Sequence, residues 1–173
     1  METYDVMTTT FAARSFTDKP VSQDTLHRIL DHARFAPSGG NRQGWKVIFI
    51  ENSDIKSQLQ ALMAPTIRAY KAMAMAGETP FNSIDASEVD QATIDATSSD
   101  IPFAGNLSQA PVVLIVTVDL KQVTAFDQNL HRVGVIAGAS IYPFVWNILL
   151  GARNEHLGGV MTTFIAHQEP QAK

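Results

Sequence analysis

The chain of 173 residues contains no cysteine. Disulfides, thiolate nucleophiles and thiolate metal sites are therefore excluded, a composition compatible with a reducing cytosol. Charge is sparse: 17% of residues are charged, with 13 basic against 17 acidic side chains and a formal net charge of -4. No cluster of Lys and Arg interleaved with aromatics could track a phosphate backbone, so nucleic acid is not an expected partner. The N-terminus METYDVMTTTFAARSF has no basic stretch followed by an apolar core. Nor is any apolar run long and uninterrupted enough to span a bilayer, so no membrane partner is expected and a cytoplasmic location is the default.

Local catalytic signatures are missing too. The five histidines, His27, His32, His131, His156 and His167, never fall into HExxH or any i, i+4 pair, so a metal site has no local support. GxSxG, GxGxxG and GxxxxGK[ST] are absent, which removes the sequence arguments for an α/β hydrolase, a Rossmann site or a P-loop. No side chain stands out as a nucleophile or general base. If the chain is an enzyme, a bound cofactor is expected to supply the reactivity while the protein supplies position and electrostatics.

What is present is an ordinary globular mix, 45% hydrophobic, sized for a single domain over residues 1–173. Ser22 can cap a helix over 22–35 whose Leu26, Ile29, Leu30 and Ala33 share one face, and Pro37 ends it. Residues 46–50, KVIFI, read as a strand, and Asn52-Ser-Asp offers caps for the next helix, bearing Ile55, Leu59, Leu62 and Met63. From about 77 to 108 the chain turns polar and acidic, an excursion from the core expected to be partly helical and mobile. Pro111 opens VVLIVTVDL, which reads as a strand buried on both faces. Residues 129–155 are apolar nearly all round and predict one long central helix, with Gly134 and Gly138 forming a close-approach strip and Pro143 a kink. Gly158-Gly159 leads into a third strand candidate, 160–165, and Pro170 reads as the first residue of a helix.

Residues 36–45, APSGGNRQGW, pack many hydrogen-bonding groups between two apolar stretches. One reading is a helix stop and a solvated glycine turn. The other is a binding loop in which Ser38, Asn41 and Gln43 aim donors and acceptors at a polar, planar ligand while Gly39 and Gly40 let the backbone approach. Arg14 and Ser15 add a positive fork and a hydroxyl suited to a phosphate, though an exposed arginine near a terminus accounts for them equally.

Taken together, ARSFTDKPV (13–21), the capped helix, APSGGNRQGW, the strand, and GASIYPFVWNILLGARNEHLGGVMTTF (138–164) resemble the nitroreductase family of FMN-dependent oxidoreductases, from about residue 8 to the end. The resemblance implies an α+β fold: a mixed sheet surrounded by helices, a long apolar helix at a homodimer interface, and FMN bound between subunits. It implies FMN contacts from Arg14, Ser15, Pro37, Ser38, Gly39, Asn41 and Gln43, and from the Met161, Thr162 and Thr163 stretch passing the flavin's N5 edge. The implied mechanism is ping-pong: NADH or NADPH reduces FMN at N5, then a nitroaromatic, quinone or similar acceptor takes the hydride. No catalytic side chain is required, since hydride transfer depends on stacked geometry.

Three departures from the family pattern carry expectations. Thr10 and Phe11 stand where an arginine pair is usual, which favours an alternative: a flavin-binding or sequestering protein with little turnover. His156 replaces a glycine where the long helix ends, at greater cost in a left-handed conformation. The family's usual C-terminal helix, strand and tail have no counterpart, so a shortened or incomplete chain with weakened FMN affinity is expected. By the same resemblance, residues about 65–108 form the variable region over the flavin pocket.

Overall fold

The computed structural model describes residues 1–102 and 107–173 and divides into two compact units, Met1–Ile50 with Pro111–Met161 and Glu51–Ala110 with Thr162–Lys173. In the first unit a short helix, α1 (Thr3–Thr9), precedes α2 (Gln23–Ala33). Ser22 caps α2 as its sequence position predicts: its Oγ accepts the Thr25 amide at 3.1 Å, satisfying one of the N–H groups that a helix start leaves open. Strand β1 (Trp45–Ile50) then pairs antiparallel with a second strand of the same unit, Val113–Val118, in register from Trp45↔Val118 to Ile50↔Val113.

The second unit is built on α3 (Ser53–Met75), capped by Asn52, whose Oδ1 accepts the amides of Asp54 and Ile55. The helix therefore runs through the first quarter of the expected 65–108 excursion, to Met75, and Pro65 lies inside it. Met63 and Ile67 form its buried face against Ile101, Leu107, Phe164 and Ile165, and Tyr70 meets Phe164 edge to face. The Lys56 ammonium is buried and donates to the Ala110 carbonyl at 2.7 Å. The excursion is partly helical, as expected, through α4 (Gln91–Ala96), capped by Asp90. Its residues 103–106 lie outside the described residues.

Strand β2 is the Val113–Val118 segment; its side chains are mostly half-buried. It is not buried on both faces as the apolar run predicts: Thr117 is exposed and no residue of the strand is fully buried. Helix α5 (Tyr142–Asn154) is half the expected length. Residues 136–140 instead form a tight 3-10 turn, so Gly134 and Gly138 make no strip on a helix face. Pro143 sits in the first turn of α5, where a missing N–H costs nothing, and it starts the helix rather than kinking it. Residues 160–165 form no strand among the described residues: Ala12 makes an isolated parallel bridge to Gly159, and Phe164–Gln168 form a 3-10 turn before α6 (Glu169–Ala172), which Pro170 opens.

The first unit's core is Ile29, Ala33, Ala36, Phe144 and Ile148, with Trp45 and Leu157 packed against it. The Trp45 and Phe144 rings stack with centroids 4.5 Å apart. Helix α5 ends in a Schellman motif: the Leu157 amide reaches the Ala152 carbonyl at 2.8 Å and the His156 amide reaches Arg153 at 3.0 Å. His156 takes φ +61°, so the expected strained substitution is present. The helix end thereby inserts Leu157 into the core and delivers Gly159 to the bridge with Ala12.

Candidate functional site

After the buried Ala36 the chain must turn from α2 into β1, and residues 38–43 do this through an uncommon backbone. Gly40, Asn41 and Gln43 all have positive φ, at 61°, 51° and 49°. Asparagine tolerates this region better than most residues; glutamine has no such excuse, and a strained non-glycine residue persists only where its surroundings hold it. The restraints are visible. The Ser38 carbonyl accepts the Asn41 amide at 2.8 Å, and Ser38 Oγ accepts the Gln43 amide at 3.0 Å. The Gln43 side-chain amide donates to both the Arg34 carbonyl and Asn41 Oδ1, each at 3.1 Å.

These bonds consume both Gln43 Nε2 hydrogens and one Asn41 oxygen. Asn41 Nδ2 and Gln43 Oε1 make no hydrogen bond among the described residues, and both side chains are exposed. A donor and an acceptor are thus presented from one braced pair, the complement of a planar heterocycle whose edge alternates carbonyl and N–H groups.

The loop is seated on a segment far away in sequence, residues 119–140. The Asp119 amide donates to the Gly44 carbonyl at 2.8 Å, extending the β1–β2 ladder by one step. A Cβ on Gly44 would lie 2.6 Å from Gln122 Cβ, so only glycine fits. The Gly39 amide donates to Ser140 Oγ at 3.0 Å, and a Cβ there would press on Thr124 Oγ1 at 3.2 Å. Glycine at 39 therefore serves a close approach within the protein, and its amide is engaged by Ser140 instead of pointing at a ligand.

The seat has its own anchor. Asp127 is buried, and its Oδ2 accepts from Arg132 Nη1 and the Val135 amide, each at 2.7 Å, and from the Ile136 amide at 3.4 Å. The Val135 amide first, and the Arg132 guanidinium next, hold the Asp127 carboxyl below its ordinary pKa despite the opposing effect of burial.

Arg14 and Ser15 are exposed immediately after the buried Ala13, whose amide donates to the Gly159 carbonyl at 3.0 Å. This bond and the Ala12 bridge hold the residues just before Arg14 and Ser15 against Gly159 within the first unit. Met161 closes that unit, half-open to solvent. Thr162 and Thr163 belong to the second unit, where Thr162 Oγ1 accepts the Phe164 amide at 3.4 Å and Thr163 precedes the 3-10 turn. Pro37 is exposed between Ala36 and Ser38. Of the arginine-pair positions, Thr10 turns its hydroxyl back onto the Val6 carbonyl at 2.7 Å and Phe11 is exposed. Sequence reasoning missed Ser140, Thr124, Asp119 and Asp127. Ser140 and Asp119 lie within segments the sequence singles out, 138–164 and the apolar run after Pro111, but nothing there marks them as partners of the loop, and the link exists only in three dimensions.

A family model described as "Nitroreductase family" matches residues 8–171. A nitrobenzene nitroreductase of Ectopseudomonas oleovorans is 26% identical over 179 residues, covering 92% of this chain and 72% of that protein. A shorter stretch of 51 residues is 31% identical to a provisionally named NADH dehydrogenase/NAD(P)H nitroreductase of Rhodopseudomonas palustris (strain TIE-1), covering 30% of this chain and 26% of that relative's length. Among solved structures, a nitroreductase with bound FMN from Desulfitobacterium hafniense DCB-2 has the same fold, with a TM-score of 0.63 at 22% identity over 97% of this chain and 76% of that one.

Proposed function

This chain belongs to the nitroreductase family, and from that premise we propose that it is an FMN-dependent oxidoreductase. In this reading NADH or NADPH is the donor, a nitroaromatic, quinone or similar electron-poor molecule is the acceptor, and the two use one face in turn. Bound FMN supplies the two-electron exchange. The observation that carries the reading is the braced loop: a turn with three left-handed residues, four hydrogen bonds to Asn41 and Gln43 and two more that seat Gly39 and Gly44, leaving Asn41 Nδ2 and Gln43 Oε1 unbonded among the described residues on exposed side chains. Those two atoms suit the polar edge of the isoalloxazine ring. Arg14 and Ser15 are the candidates for the phosphate, Pro37 and Ser38 for the ribityl side, and the backbone of Met161, Thr162 and Thr163 for the ring's N5 side. The side chains here position and orient, and no residue is assigned proton transfer.

The working form is a homodimer. Supporting this, the first unit leaves several large apolar side chains exposed, among them Phe126 (85% exposed), Phe35 (73%), Leu120 (72%) and Val135 (69%), which a partner could cover. A mass measurement by light scattering checks it, and a monomer at micromolar concentration argues against it.

The deciding experiment is the visible absorption spectrum of purified protein, recorded anaerobically with FMN before and after NADPH and then NADH. Bleaching followed by recovery on adding a quinone or nitroaromatic is the expected result. Failure to bind FMN refutes the reading. A spectrum that persists favours the second reading, a flavin-sequestering protein, for which the specific observation is that Thr10 and Phe11 provide no cation, Thr10 turning its hydroxyl onto the Val6 carbonyl and Phe11 standing exposed.

A further inference from the structure

We propose that Ser140 is the positioning residue of the 37–43 loop, fixing through Gly39 the orientation in which Asn41 and Gln43 meet the cofactor. The inference rests on the FMN reading above and goes beyond it by naming what sets the site's affinity. The loop's own bonds, Asn41 to Ser38 and Gln43 to Ser38, shape it but do not orient it. Its ends are fixed by the Arg34 carbonyl at the close of α2 and by Asp119 beside β2. The apex, where the left-handed run begins, has one long-range hydrogen bond among the described residues: the Gly39 amide to Ser140 Oγ, 101 positions away.

Three features make this contact a seat and not an incidental touch. Ser140 is buried, so its hydroxyl is shielded from the water that would otherwise compete for the Gly39 amide. Thr124 Oγ1 and Ser140 Oγ occupy the space a side chain at 39 would need, so the apex is walled as well as bonded. Ser140 also ends the 3-10 turn over 136–140, and Asp127 holds the start of that turn through the Val135 and Ile136 amides. Position is thus relayed from Asp127 through the turn to Ser140, then to Gly39 and the ligand-facing amides.

The test compares wild type, Ser140→Ala, Ser140→Thr and the double variant Ser140→Ala with Asn41→Ala. FMN dissociation constants come from flavin fluorescence titration, with melting of each apoprotein recorded in parallel. Ser140→Ala is expected to weaken FMN binding about tenfold at a temperature where it is fully folded, the scale of a buried amide losing its acceptor. Ser140→Thr, which keeps the hydroxyl, should recover most of that loss. The double variant should lose less than the product of the two single effects, since both act on one set of contacts. A purely structural serine would lower the melting temperature and leave the dissociation constant and the coupling unchanged; that result, with wild type binding FMN normally, overturns the inference alone. Wild-type protein that binds no FMN overturns the FMN reading and this inference together.

Discussion

Two polar stretches of this chain look alike in composition and behave differently in three dimensions. Residues 36–45 and residues 76–100 both interrupt apolar elements with Pro, Ser, Asn, Gln and Gly. In the second stretch most side-chain bonds reach two or three residues: Asn82 Oδ1 accepts the amides of Ile84 and Asp85, Ser87 accepts Val89, Asp90 accepts Thr93 and Ser98 accepts Asp100, while Glu78 accepting the Glu88 amide and Lys71 donating to the Asp100 carbonyl reach further within the same unit. Such Asx and Ser turns shape a loop from within, one turn at a time. In the first stretch the decisive bonds reach Asp119 and Ser140. A segment turned by its neighbours can vary residue by residue, whereas one seated on distant residues is specified by the whole unit. The seated segment is the one able to offer a fixed edge to a ligand.

The contrast can be broken most forcefully at Gly44. A methyl there would stand 2.6 Å from Gln122 Cβ and 3.3 Å from the Asp119 carbonyl, so Gly44→Ala must displace the loop from its seat. We expect a cost of about 2 kcal/mol, a melting temperature lower by several degrees, and loss of measurable FMN binding; calorimetry and titration together check it. Ser38→Ala comes next. It removes the acceptor for the Gln43 amide, and we expect about 1 kcal/mol in denaturant unfolding with a parallel fall in FMN affinity.

Acid acts on the seat itself. The Asp127 carboxyl has a folded pKa below its ordinary 3.8, so its contribution to stability is complete above that value and is lost as pH falls through it toward the folded pKa. Between pH 5 and pH 2 the wild-type melting temperature should therefore fall more steeply than that of Asp127→Asn. Parallel profiles would assign Asp127 no such role. The smallest effect belongs to the other stretch: Asn82→Ala should cost no more than about 0.5 kcal/mol, with FMN affinity unchanged. A large loss of affinity there would erase the distinction between the two segments.

Much of the framework is legible in the sequence because its signals are local. Ser22 and Asn52 each declare a helix start by a side chain that reaches only two or three residues ahead. The face Leu26, Ile29 and Ala33 declares the inward side of α2, and all three are buried. The misreadings fall where a local pattern is ambiguous. An apolar run over 129–155 does not distinguish a helix from a turn followed by a helix, and a proline breaks a helix interior but favours a first turn, which is how Pro143 is used. Val160–Ile165 has strand composition without a strand to pair with beyond the single bridge at Gly159. The loop at 36–45 announces itself through its donors; Ser140 does not, because a lone serine within an apolar run acquires its role only from what folds against it.

The stacked pair Trp45 and Phe144 has a practical consequence. Trp45 is the residue immediately after Gly44, and the chain has only one other tryptophan, Trp146, which is 44% exposed on α5. Replacing Trp146 with phenylalanine leaves a single indole at the hinge between loop and strand. Its emission then becomes a built-in optical gauge of whether the loop is seated, readable in the apoprotein without any added dye or cofactor.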